Sequence, residues 1–179
     1  MPRVPEPDGA EGTPFYRVMG YHPTILEKFV TLRDAYWEEG VLEHSLKELV
    51  RMLSATLNTC EHCKAVRTAW SKRDGLEDEK VAEVGNYADR PDLFSARERA
   101  ALEFTRSFFY KLGWVEDAVM EDAKQQFSSA EIVELAFCLW QFMGGNWFMH
   151  ALGVEPEDDI GEYYGGSKSL KSKGPTVDG

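Results

Sequence analysis

The stretch that most constrains this chain is Ile132 to Met143, which is apolar nearly all the way round a helix: Ile132, Val133, Leu135, Ala136, Phe137, Cys138, Leu139, Trp140 and Phe142. It is introduced by Ser128-Ser129-Ala130-Glu131, the pattern of a capping box, in which the serine side chain accepts from the backbone while the glutamate reaches back. A helix without a polar face is buried centrally or shared with another subunit. Both are expected here, and a core helix inside a monomer is the plainer alternative. The stretch contains Glu134 and Gln141 and is too short to span a bilayer, which takes about 20 apolar residues. Gly144-Gly145 is expected to kink or break this helix, with Asn146 to Leu152 resuming it.

The rest of the chain reads as helical in the same way. His22-Pro23-Thr24 opens a helix with an apolar stripe of Ile25, Phe29, Leu32 and Trp37, and Gly40 stops it. A second helix runs from about Glu43 to Leu57, with Leu46, Leu49, Val50, Leu53 and Leu57 on one face. Asn58-Thr59 interrupts the pattern and caps a third, expected from Cys60 to Ser71. A short helix follows from Glu77 to Asn86. Ser95-Ala96-Arg97-Glu98 is another capping box, opening a helix to about Leu112, and Glu116 to Phe127 forms one more. No segment alternates with period two between hairpin turns, so no sheet is expected. Residues 1–20 read as an extended arm, 21–160 as one domain, and 161–179, rich in Gly, Ser and Lys, as a flexible tail.

The net charge of −11 over 179 residues repels phosphate backbones and anionic membranes, so neither nucleic acid nor membrane is an expected partner. The first residues carry no apolar segment of the secretory kind, and a cytoplasmic protein is expected. Three cysteines do not make a disulfide framework.

Two of those cysteines form Cys60-Glu61-His62-Cys63. Residues i and i+3 share a helix face, so two sulfurs at this spacing can meet in a disulfide. A helix N-terminus favours anions and lowers a thiol pKa, and the thiolate is the form that attacks peroxides and disulfides. The spacing suits a dithiol that cycles between oxidation states. Zinc is a competing reading, but it normally takes four ligands, and only Cys138 and His150 stand elsewhere, without a second ligand pair. No metal and no cofactor is expected. Two inert core cysteines are the remaining reading. His62 is either a proton carrier beside the thiols or a solvent-facing helix residue. Glu48, near the apolar face of the preceding helix, is expected to have its pKa raised by burial and so to accept a proton, unless it is an edge residue paired with Lys47 or Arg51. Trp70, Trp140 and Trp147 are candidates for a pocket wall or for the core.

The Glu-x11-Cys-x-x-Cys pattern of Glu48, Cys60 and Cys63, with Leu46-Lys47-Glu48-Leu49-Val50 leading in, resembles the core of the carboxymuconolactone decarboxylase/alkylhydroperoxidase-D family. So do the runs from Ser95 to Thr105 and from Phe127 to Leu135, and the resemblance covers roughly residues 20–150. It implies an all-α fold, a compact bundle of about six to eight helices, assembling as trimers or hexamers. It implies a thiol-dependent peroxidase that reduces small hydroperoxides through Cys60 and Cys63 at the expense of a thiol or dithiol reductant, with Glu48 as base and His62 assisting. In the family the second cysteine is usually the peroxidatic one, whereas the dipole argument favours Cys60. The family's fuller pattern has His four positions after the second cysteine, where this chain has Arg67. Arginine does not accept a proton at ordinary pH, but it can stabilise a thiolate. Two other readings follow from the same resemblance and departure. One is a lactone decarboxylase-like lyase or isomerase, and the other is a non-catalytic redox-sensing oligomeric module.

Overall fold

The computed structural model describes residues 3–156 and the backbone of Tyr163 and Tyr164. The chain is all-α, with α1 (Pro14–Met19), α2 (Pro23–Glu38), α3 (His44–Leu57), α4 (Glu61–Ala65), α5 (Ala69–Arg73), α6 (Asp78–Ala82), a 3-10 helix (Val84–Asp89), α7 (Ala96–Tyr110), α8 (Asp117–Gln126) and α9 (Ser129–Leu152). Two short elements among the described residues are strands: β1 (Arg67–Thr68) pairs in parallel with β2 (Tyr163–Tyr164). Helix α1 lies within the stretch read as an extended arm, and Pro at its start favours the helical turn. Apart from the β2 backbone, the expected tail lies outside the described residues.

The centre of the bundle is α3. Every residue from Leu46 to Ala55 is buried, and the helix packs against both α7 and α9. On one side Leu46 and Val50 join Trp37, Trp70, Phe104, Leu135, Leu139 and Phe142. On the other, Leu49 and Leu53 join Val84, Tyr87, Phe94 and Leu102. The wholly apolar segment expected at the centre, in α9, instead buries one side and leaves Val133, Trp140 and Trp147 exposed. Trp70 is core, stacked on Trp37 with ring centroids 5.0 Å apart, whereas Trp140 and Trp147 belong to neither core nor cavity wall.

Both expected capping boxes are present, with Ser95 and Glu98 at the start of α7 and Ser128 and Glu131 at the start of α9. Each satisfies two backbone donors that a helix end leaves open. Arg97 then ties the pieces together, reaching Glu43 before α3, the Gln126 carbonyl ending α8, and Glu131 in α9.

Two sequence expectations fail locally. Gly144-Gly145 does not break α9, which runs unbroken to Leu152 and ends on Gly153 in the left-handed conformation. A mid-helix glycine costs about 1 kcal/mol, which the packing of Cys138, Leu139, Phe142, Met143 and Asn146 around it outweighs. The helix expected from Cys60 to Ser71 is split into α4, β1 and α5.

A buried ion pair fixes the entry to α3. Lys47 Nζ lies 2.6 Å from Glu134 Oε1 of α9 and donates to the Tyr36 carbonyl. Glu134 Oε2 accepts from the N–H groups of Val41 and Leu42. Gly40 makes this possible, because a Cβ there would sit 2.1 Å from Glu134 Oε1 and 2.7 Å from Lys47 Nζ. Gly40→Ala is therefore expected to displace a buried ion pair and lower stability by about 2 kcal/mol or more, read as a fall in the urea midpoint with circular dichroism.

Candidate active site

The turn that delivers the cysteines is held from three directions. Asn58 donates to the Ser54 carbonyl (2.9 Å), its side-chain oxygen accepts from Trp147 Nε1 (2.8 Å), and His150 Nε2 lies 2.7 Å from its carbonyl. Thr59 then takes φ of 51°, a left-handed conformation that costs a β-branched residue about 1–2 kcal/mol. The anchored Asn58 and the bonds around it impose that turn. It aims Cys60 inward, and Cys60 caps α4, its Sγ accepting from the Cys63 N–H at 3.4 Å.

Cys60 and Cys63 are joined as a disulfide, with Cα atoms 5.3 Å apart, inside the range that a bridge requires. Their surroundings differ. Cys60 is 2% exposed and packed among Val18, Met149 and Val154. Cys63 lines a cavity of about 110 Å³ together with His62, Arg33, Arg51, Tyr36 and Phe142. Phe15, Tyr16 and Phe29 close the same cavity from α1 and α2, and Gln141, Gly145, Asn146 and Met149 form its α9 wall. His62 is therefore not the solvent-facing residue that its position allowed. It is buried at 7% exposure and faces the same space as Cys63.

Glu48 sits at 0% exposure beneath this loop. Its two oxygens receive five hydrogen bonds: Arg51 Nε and Nη2 at 2.8 Å each, Arg67 Nε at 3.2 Å, the Thr68 N–H at 3.2 Å and the Thr68 hydroxyl at 3.0 Å. Burial by itself pushes the carboxyl pKa up. The charge and hydrogen bonds of Arg51, the Thr68 N–H and the charge of Arg67 outweigh it, and the pKa ends below its ordinary 4.5. The expectation that burial would raise this pKa is thus reversed, because the carboxylate is buried together with its partners. A carboxylate so engaged stays ionised and has little basicity left for a thiol.

Arg51 carries the link to the cysteines, donating from Nη1 to the Cys63 carbonyl (2.7 Å) and from Nη2 to the Val66 carbonyl. Arg67 spends Nε on Glu48 and Nη1 on Asp78 (3.3 Å), and it is not among the residues lining the cavity. The structure thus brings Cys63, His62 and Arg51 to the cavity and places Cys60, Glu48 and Arg67 behind it. Arg33 and Tyr36 join the site from α2, a helix whose stripe read only as core. The signal available in the sequence was an arginine beside that stripe, and Arg33 is in fact buried with its guanidinium over the Trp70 ring.

The third cysteine stands apart. Cys138 is free, buried in α9 near Lys47 and Glu134, and burial pushes its thiol up to about 12. Among the described residues no cluster of metal-ligating side chains occurs, and no helix is long and apolar enough to cross a membrane.

Residues 23–107, which run from α2 to α7 and include the whole cysteine loop, match the model of the carboxymuconolactone decarboxylase family. That segment belongs to the family. No curated protein matches the sequence. Among solved structures, an uncharacterised peroxidase-related protein from Ralstonia eutropha, an alkylhydroperoxidase AhpD core, is 18% identical with a TM-score of 0.73, over 88% of this chain and 93% of that one. A peroxidase-related protein from Silicibacter is 17% identical with a TM-score of 0.69, over 83% and 78%. The debrominase Bmp8, as a cysteine-to-alanine variant in complex with 2,3,4-tribromopyrrole, is 19% identical with a TM-score of 0.68, over 79% and 75%. At these identities the likeness is one of fold, and the chain shares the alkylhydroperoxidase-D type of bundle.

Glu48 gives a pH test. Its folded pKa lies below its ordinary 4.5, so the stability it contributes is complete above that value and is lost as pH falls through the lower folded value. Glu48→Gln is expected to cost about 3 kcal/mol at neutral pH, because it leaves the buried Arg51 without its counter-charge and Arg67 with Asp78 alone. In denaturant titrations, the gap between the variant and the parent chain should narrow as the solution is acidified.

Proposed function

We propose that this protein is a dithiol–disulfide oxidoreductase that reduces small organic hydroperoxides, with Cys63 meeting the substrate and Cys60 resolving the product. The observation that carries the reading is the asymmetry of the pair. Cys63 opens on a cavity shared with a histidine, while Cys60 is bonded to it from behind and sealed at 2% exposure.

The reaction follows from that placement. The Cys63 thiolate attacks the terminal oxygen of the hydroperoxide and the O–O bond breaks. The departing alkoxide takes a proton to leave as the alcohol, and Cys63 becomes a sulfenic acid. The Cys60 sulfur then attacks the sulfenic sulfur, its proton leaves with the hydroxide as water, and the disulfide forms. A thiol or dithiol reductant returns two electrons and two protons to reopen the pair.

His62 is the group positioned to deliver and recover protons, since it faces the cavity and its ordinary pKa lies near the working pH. It takes the part that the resemblance gave to a histidine four residues after the second cysteine. Arg67, which stands there, is committed to Glu48. Glu48 acts as the anchor of Arg51, which in turn holds the carbonyls of Cys63 and Val66. The walls of Phe15, Phe29, Phe142 and Met149 favour an organic hydroperoxide over a fully hydrated oxidant.

A lactone decarboxylase-like lyase fits less well. Acid–base chemistry of that kind has no use for a dithiol, and here one sulfur of a bridged cysteine pair faces the cavity.

The test is peroxide consumption by the purified protein with an organic hydroperoxide and a dithiol. Cys63→Ser should abolish turnover. Cys60→Ser should stop after a single oxidation and leave a sulfenic acid that dimedone traps. His62→Gln should keep the disulfide but lose about 100-fold in peroxide reduction. Unchanged consumption in both cysteine variants would sink the reading.

The same geometry sets an order of thiol reactivity. After reduction of the native protein, iodoacetamide should label Cys63 well before Cys60, and Cys138 should react only on unfolding, as peptide mass mapping would show.

A further inference from the structure

Stability alone does not explain Arg33. It lies on α2 at 3% exposure, with its guanidinium carbon 5.7 Å from the centre of the Trp70 ring. The next residue matches its charge: Nε and Nη2 both donate to Asp34 Oδ1, at 2.9 and 2.5 Å. A buried ion pair of this kind is weak support for a fold, and apolar residues of similar volume are often as stable or more so. Asp34 makes a guanidinium tolerable at this depth without giving a reason for one.

The cavity supplies the reason. Arg33 lines it, while Asp34 stands outside the lining. Arg33 Nη1 donates to the Tyr16 hydroxyl, and Tyr16 lines the same space from α1. Arg51 repeats the arrangement, facing the cavity with Glu48 held behind it. In both pairs the cation fronts the space and the carboxylate is set back. An anion in the cavity therefore lies nearer the positive end of each pair. Phe15, Phe29 and Phe142 complete the walls, and in such apolar surroundings water screens the attraction less than it does at the surface.

We propose that the hydroperoxide reduced at Cys63 carries a carboxylate on an apolar body, and that Arg33 and Tyr16 hold that carboxylate. The proposal rests on the peroxidase reading above and names its substrate class. Arg51 is engaged with the carbonyls of Cys63 and Val66, so the wall made by α1 and α2 is the seat of the acid group. The α4 wall, with Cys63 and His62, is left to the peroxide. A planar carboxylate accepts from a guanidinium in well-defined geometry, and a tyrosine hydroxyl beside it is a further donor. Because Arg33 is already shared with Asp34, one negative charge suits it better than the nearly two of a phosphate monoester. The aromatic walls and Met149 accept the body between the two ends. Anchoring the acid end also orients the molecule, which presents the peroxide oxygen to Cys63 instead of leaving it to tumble. Arg33 and Tyr16 are thus specificity-determining residues, and the buried arginine of α2 serves the ligand.

Two paired comparisons test this on the full chain. In the first, calorimetry measures binding of 4-isopropylbenzoate and of its neutral counterpart, 4-isopropylbenzyl alcohol. The acid should bind at least about tenfold tighter. Arg33→Met should bring that ratio close to one, and Tyr16→Phe should reduce it. In the second, cumene hydroperoxide is compared with its para-carboxylate as substrate. The acid should be favoured about tenfold in kcat/KM, chiefly through KM, and Arg33→Met should erase the preference. Each reading is a ratio within one protein sample, so a loss of folded material in a variant cancels, and the parent chain alone is informative should Arg33→Met not fold. An alcohol that binds as well as the acid, no binding of either, or an acid preference that survives both variants would each overturn the proposal. The two readings fail separately. Selective binding of the acid without turnover of either hydroperoxide would remove the peroxidase reading and the hydroperoxide from this proposal. Equal turnover of both hydroperoxides would remove the acid group and leave the peroxidase reading intact.

Discussion

The buried carboxylate of Glu48 is the point on which the loop and the bundle both depend. It lies on the central helix, at 0% exposure, between two guanidinium groups and the start of α5. A charge taken from water in this way costs several kcal/mol unless its partners replace the lost hydration. Here the replacement is close to complete, and it works outward as well. Arg51, once held by Glu48, has donors left for the carbonyls of Cys63 and Val66. Arg67 and Thr68, which hold the other edge of the carboxylate, are the residues of β1. One ion cluster therefore lets α3 be central and, with the same atoms, determines where the cysteine loop runs.

That cluster also explains which parts of the fold the sequence made legible. Helices α2, α3, α7, α8 and α9 announce themselves through apolar periodicity, Pro at a first turn and two serine–glutamate capping boxes, all local signals that the structure keeps. Residues 60–73 carry similar local signals and do not stay helical. In a continuous helix the Cys63 carbonyl would accept from the backbone N–H of residue 67, and the Thr68 N–H would donate to residue 64. Instead the carbonyl accepts from Arg51 and the N–H donates to Glu48. Long-range charged partners displaced the local ladder, and no window of neighbouring residues contains that information.

The same reasoning accounts for the exchange of places between α3 and α9. Hydropathy nominated α9 for the centre because it lacks charges. The helix that is buried along Leu46 to Ala55 carries Lys47, Glu48 and Arg51, each satisfied by a partner distant in sequence. Charge on a helix signals exposure only when the charge has nowhere else to go. Conversely, α9 lacks charge on a face that remains at the surface, a pattern with no internal explanation.

At the site, the motif made the pairing of Cys60 and Cys63 legible but not their division of labour. The expected dipole argument needed a long helix starting at Cys60, and α4 is a single turn of five residues, whose summed dipole is small. What distinguishes the sulfurs is access. Cys63 opens on the cavity, while Cys60 is walled in by Val18, Met149 and Val154 and accepts the N–H of Cys63. In the proposed reaction a reductant entering through the cavity would meet Cys63 and expel the Cys60 sulfur, where that N–H would steady the departing thiolate. Exposure on one side and a waiting donor on the other give the bridge a direction, and both derive from the Asn58–Thr59 turn that α9 holds in place.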